Sequence, residues 1–302
     1  MENIGHGTLD DLTVNIFTIK IDVGCLEIFF GRNENRSRHG FSLAQSRPAT
    51  DIVSLMFSSE YRGQLRADLL RRGEQDERIS GVAITGSAAI GKEDTWSDID
   101  LAFGVRDGVE VEAVLSDWTG HMYEREQAVD HLDVRAGAWI YRVFVLPNTL
   151  QVDLAFVPET EFRALAPSFQ LVSGKAHEAM HLAPPEAVGV IRYAWLYALH
   201  VRSCIARAKY WQAEFMISGM RDQALTLACL RHGLPAVHGR GLDELPLELR
   251  SSFEDTLVRQ MDGPEMMRAF QAVTRSLLQE MRLSDAKVPD SLQEVLLKLC
   301  VA

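Results

Sequence analysis

The stretch Gly86-Ser87-Ala88-Ala89-Ile90-Gly91-Lys92-Glu93-Asp94-Thr95-Trp96-Ser97-Asp98-Ile99-Asp100-Leu101 decides the reading of this chain. Upstream, residues 79–85 (Ile-Ser-Gly-Val-Ala-Ile-Thr) form a short apolar run that Gly86-Ser87 ends, as a buried strand meeting a turn would. A ten-residue loop follows, Ala88 to Ser97. Asp98-Ile99-Asp100-Leu101 then opens a second strand over residues 100–105. Alternation along a strand puts Asp98 and Asp100 on one face, about 7 Å apart along the backbone. Carboxylates held that close repel each other unless a cation lies between them. Magnesium accepts hard oxygen ligands of this type together with substrate phosphates, and manganese is its usual stand-in. Gly86 allows a phosphate to approach the backbone without a Cβ clash, and Ser87 can donate to a phosphate oxygen.

A third acid lies in Leu150-Gln151-Val152-Asp153-Leu154-Ala155-Phe156, as one of few charged side chains near a strongly apolar run. A buried aspartate is costly unless metal or hydrogen bonds satisfy it. On neighbouring strands, Asp153 would stand beside Asp98 and Asp100. The three would form the carboxylate cluster that metal-assisted phosphoryl transfer uses to neutralise charge and align the attacking and leaving oxygens.

Outward from this core, residues 58–72 read as an amphipathic helix and residues 109–127 as another. Residues 139–146 and 150–157 are apolar runs joined by Pro147-Asn148-Thr149, the pattern of a β-hairpin. After Pro158 the pattern becomes helical. Residues 188–210 carry Ile191, Ala194, Trp195, Ala198, Leu199 and Ile205 at helical spacing, and further helices are expected near 211–231, 246–260, 264–283 and 290–300. The expected class is α+β: an N-terminal extension over 1–55, a mixed-sheet catalytic domain over 56–158, and an all-α bundle over 159–302 that binds substrate. The extension reads as strand-like at 14–23 and 26–30 and as a basic linker at 31–48, and it is expected to be dispensable for activity.

The quoted elements resemble the motif of the DNA-polymerase-β-type nucleotidyltransferase superfamily: a Gly-Ser turn, Asp-x-Asp roughly ten residues on, and a later acid on a strand. The added helical half is similar to that of the antibiotic nucleotidyltransferases acting on aminoglycosides and lincosamides. The motif covers Gly86, Ser87, Asp98, Asp100 and Asp153. The resemblance implies that Gly86 and Ser87 bind triphosphate, that Asp98 and Asp100 ligate magnesium, and that Asp153 is a third ligand or the base that deprotonates an acceptor hydroxyl. It implies an active site in a cleft between the two domains, ATP as donor, and a small hydroxyl-bearing acceptor such as an antibiotic, whose modification would confer resistance. Many members carry an arginine where this chain has Ile90, and Lys92 is the nearby cation that can replace it.

Arg202 and Lys209, seven residues apart on what reads as one helix, share a face. They are either a cationic wall for the triphosphate or a solvated surface. Tyr210 and Trp211 read as base-stacking groups or as packing, and Glu214 and Asp222 as acceptor contacts or surface acids. His177-Glu178-Ala179-Met180-His181 matches the HExxH pattern of zinc peptidases. Ala183-Pro184-Pro185 stops the chain within a turn of His181, so a coincidental match on a short surface helix is expected.

Composition bounds the alternatives. Hydrophobic residues are 47% and charged ones 24%, as in a packed chain. A net charge of −11 argues against a nucleic-acid binder acting through bulk basic charge. The four cysteines are far apart with no CxxC pair, which with the absence of a signal pattern or long apolar run predicts a cytoplasmic protein away from membranes. The rival readings are an antitoxin-type adenylyltransferase that modifies a protein, and a non-catalytic nucleotide-binding module. The helical half disfavours the first, and the intact acids disfavour the second.

Overall fold

The computed structural model describes residues 56–301. The expected strands at 14–23 and 26–30 and the linker at 31–48 lie outside the described residues. The chain divides after Leu182 into two compact units.

The first unit opens with α1 (Ser59–Gln75), whose N-cap Ser58 accepts a hydrogen bond from the Tyr61 amide at 3.1 Å. Then come β1 (Ile79–Thr85), the single turn α2 (Gly86–Ala89), β2 (Ile99–Val105), α3 (Val111–Glu124), β3 (Asp130–Ala136), β4 (Trp139–Val145), β5 (Gln151–Pro158) and β6 (Phe169–Gly174). They form one six-stranded sheet in the order β3-β4-β5-β2-β1-β6. β2 and β5 run parallel, and the other pairs are antiparallel. The expected hairpin is the β4–β5 pair.

The period-two pattern of β2 and β5 assigns their faces. Ile99, Leu101 and Phe103 on β2, with Val152, Leu154 and Phe156 on β5, pack beneath Leu65 and Leu69 of α1 and Val114, Trp118 and Met122 of α3. Trp118 is fully buried, its ring 4.5 Å from that of Phe103 and 5.4 Å from that of Phe156. The intervening residues, Asp100 and Ala102 on β2 and Asp153 and Ala155 on β5, therefore take the opposite face. There Ala83, Ala102, Trp139, Ala155, Val157 and Phe162 make a smaller core.

Two strands were not expected. β3 and β6 are the sheet's edges, largely exposed, and β6 carries the sheet-bearing unit past the boundary expected at 158.

The second unit holds α4 (Ala187–Ala206), α5 (Tyr210–Arg231), α6 (Leu247–Glu254), α7 (Gly263–Leu283) and α8 (Asp290–Leu299). Ile191, Ala194 and Ala198 are fully buried as their spacing predicts, and Trp195, Leu199 and Ile205 pack against the same core with Met216, Met220, Phe270 and Leu277. The helix expected over 188–210 is corrected. α4 ends at Ala206, Ala208 takes a positive φ of 52°, and Lys209 is the N-cap of α5. Arg202 and Lys209 thus belong to different elements and do not share a helix face; both are exposed. The HExxH stretch is not helical either. His177 forms a bridge with Arg163, its amide donates to the Phe162 carbonyl at 2.9 Å, and residues 178–186 carry no helix. Among the described residues no helix is long and apolar enough to cross a membrane.

A candidate three-carboxylate metal centre

The parallel ladder between β2 and β5 sets Asp100 directly opposite Asp153. Asp98 stands just before β2, at the end of the loop. Each of the three aspartates offers one carboxylate oxygen, and these oxygens lie within 4.8 Å of one another. All three residues are half-buried. Distances of that size let one hard cation touch all three carboxylates. The donor set is all oxygen, with no thiolate or imidazole, and so suits magnesium or manganese rather than structural zinc.

Gly86 is required where it stands. Its φ is +65°, and a Cβ there would run into the carboxylate of Asp100. The glycine thus leaves room for the Asp100 carboxylate against the turn that follows β1. Ser87 follows in α2, half-buried, and its carbonyl accepts from the amides of Ile90 at 3.3 Å and Lys92 at 3.0 Å. Lys92 is exposed on the same loop. Arg202 and Lys209 lie in the helical unit. Also in that unit, Trp211 is exposed and Tyr210 half-buried, while Glu214 accepts a hydrogen bond from Ser218 at 2.8 Å.

Burial pushes the Asp153 carboxyl up to about 6; the Gln151 hydrogen bond opposes this, and the neighbouring Asp98 adds to it. Gln151 is a site residue that the sequence reading passed over. Its side-chain amide donates to Asp153 at 3.0 Å and reaches Asp98 at 3.3 Å, tying two of the three acids together. Its place one alternation step before Asp153 on β5 was the available signal.

No family model matches the chain, and no curated protein matches it. Solved structures do. An aminoglycoside 6-adenyltransferase from Bacillus subtilis is 14% identical over 81% of this chain and 98% of its own, with a TM-score of 0.34. A chain of the GLD-2/RNP-8 complex is 14% identical over 82% of this chain and 97% of its own, at a TM-score of 0.25. The CdnE cyclic dinucleotide synthase of Elizabethkingia meningoseptica, solved with GTP and Apcpp, is 10% identical over 84% and 98%, at 0.24. At these identities and TM-scores none of them assigns an activity to this chain.

Proposed function

We propose that this chain is a magnesium-dependent nucleotidyltransferase that moves a nucleoside monophosphate, AMP by preference, from an NTP to a hydroxyl of a small molecule such as an antibiotic. The observation that carries this reading is the meeting of Asp98, Asp100 and Asp153 where the second strand of a strand-turn-strand unit begins, the turn of that unit being opened by Gly86-Ser87. The carboxylates fit a hard divalent cation. Held by Asp98 and Asp100, it would neutralise charge at the transferring phosphoryl group. In the reaction the acceptor oxygen bonds to the α-phosphorus, the bond from that phosphorus to the bridging oxygen breaks, and pyrophosphate leaves. Asp153 either completes the ligand set or takes the acceptor proton. Gly86 and Ser87 are assigned to the phosphates. Lys92, Arg202 and Lys209 are the candidate cationic contacts.

Two measurements test the reading. The chain is incubated with each NTP, magnesium and a panel of aminoglycosides, lincosamides and proteins, and pyrophosphate release and acceptor mass are followed. A mass gain of one nucleoside monophosphate is expected on a small acceptor. A gain on a protein would move the acceptor class, and no consumption of any NTP across the panel would reject the proposal. Asp153→Asn then separates its two roles: Mn2+ affinity kept with turnover lost assigns the base, and loss of both assigns the ligand.

A further inference from the structure

We propose that Arg62 is the positioning residue for Asp98, holding this acid in place through the backbone of the preceding loop. The inference rests on the metal-site reading above. Asp98 differs from its two partners in how it is supported. Asp100 and Asp153 sit within the β2–β5 ladder, whereas the ladder begins at Ile99. The place of Asp98 is therefore set by the loop that delivers it.

That loop is internally ordered. The Asp94 amide donates to Ser97 Oγ at 2.9 Å, and Asp94 Oδ1 accepts from the Trp96 amide at 2.9 Å and from Ser97 Oγ at 3.0 Å. These bonds shape the turn but do not attach it to the rest of the unit. Arg62, from the first turns of α1, supplies the attachment. Its Nη1 donates to the carbonyl of Asp94 at 2.6 Å and to that of Ser97 at 3.0 Å, and its Nε lies 2.9 Å from Glu93 Oε1. Arg66, one helical turn on, also reaches Glu93 Oε1, at 2.5 Å. The Ser97 carbonyl belongs to the same planar peptide group as the Asp98 amide. Fixing that oxygen fixes the plane from which the Asp98 side chain departs.

The burial of Arg62 points the same way. Its side chain is only 4% exposed, among the most enclosed charged groups described. Taking a guanidinium out of water is unfavourable unless its donors find acceptors. Those found are two carbonyls of the loop that ends at Asp98, both taken by Nη1, while Nε meets Glu93 as an ion pair without making a hydrogen bond. A guanidinium suits this task, because its planar Nη1 group donates to both carbonyls while the same delocalised charge sits beside the Glu93 carboxylate.

The test is an EPR titration of the full chain with Mn2+ alone, at a temperature well below its melting point. Arg62→Met keeps much of the buried volume and removes the donors. It is expected to weaken Mn2+ binding about tenfold, the scale seen when groups that orient metal ligands are lost. Arg62→Ala should lose as much and recover part of it in millimolar methylguanidinium. Placing Arg62→Met on an Asp98→Asn background should cost no further affinity if Arg62 acts through Asp98. Should Arg62→Met not fold, Arg62→Lys is read instead, with a several-fold loss expected. Native Mn2+ affinity in the folded Arg62 variant, while Asp98→Asn binds weakly, would overturn the proposal and leave the metal site standing. Native affinity in Asp98→Asn itself would instead reject the metal-site reading.

Discussion

Glu280 in the helical unit and Asp153 in the sheet unit are both acids withdrawn from water, and they are met in opposite ways. Glu280, on α7, is 1% exposed and receives two parallel hydrogen bonds from Arg231 at 3.0 Å each. This charge-assisted pair closes its own electrostatics. Asp153 has an amide for a partner, a second acid as a neighbour, and a carboxyl pushed up to about 6. An acid supplied with its arginine is architecture. An acid left beside other acids marks a place where the protein gives up stability to hold something positive.

That contrast can be broken at several points. The largest effect is expected from Arg231→Met, which strands Glu280 without its cation. Urea denaturation should show a loss of about 3–5 kcal/mol in the helical unit. A loss below about 1 kcal/mol would mean that Glu280 does not need its partner. Next, Asp98→Asn or Asp100→Asn should lower nucleotidyl transfer by at least about a hundredfold, or roughly 2.7 kcal/mol of transition-state stabilisation, with the fold intact. Near-normal turnover in either variant would sink the metal site.

Asp153→Asn should act in the opposite direction on stability. In metal-free buffer at pH 7 it should raise stability by roughly 1–2 kcal/mol, a full two-unit shift being discounted for partial exposure. The sign follows from linkage. The folded-state pKa, about 6, lies above the ordinary aspartate value of 3.8, so the native state holds the proton more tightly than the unfolded chain. The stability from this group is present below about pH 4 and is lost as pH rises through about 6. Melting temperatures of the native protein and Asp153→Asn, taken in EDTA across this window, should diverge with rising pH; parallel curves would remove the contrast with Glu280. The smallest effect belongs to His177→Ala and His181→Ala, which should leave metal content and transfer unchanged. Metal analysis showing one zinc per chain, lost on either change, would reopen the peptidase reading.

The central strands and the acids were legible in the sequence because burial on both faces leaves a simple signature. β1, β2 and β5 are short apolar runs, and one aspartate interrupting such a run stands out. The edges were harder. In β3, Leu132, Val134 and Ala136 do alternate with polar residues, but the run is short and Leu132 is exposed. Asp133 pairs with Arg142 of β4 at 2.6 and 2.7 Å, so the strand is held by cross-strand charge and lacks the look of a buried strand. β6 is mostly exposed, with the same effect. The break at Ala208 was hidden because a non-glycine residue takes the positive φ there. Arg62 and Gln151 escaped notice for a common reason. Each is a polar residue in an otherwise ordinary element, and what it touches is set by tertiary contact rather than by neighbours in sequence.

The parallel pairing of β2 with β5 has a consequence for how the molecule assembles. Asp100 and Asp153 are about fifty residues apart in the chain, and α3, β3 and β4 intervene. The β3–β4 and β4–β5 hairpins can close locally, whereas β2 finds β5 only after the whole crossover has folded back, a non-local step of the kind that slows folding. A slip of one residue in that pairing would turn Asp153 toward the helix-covered face. Ability to capture Mn2+ should therefore appear late during refolding, after most of the circular-dichroism signal has returned, making the ion a reporter of correct strand register.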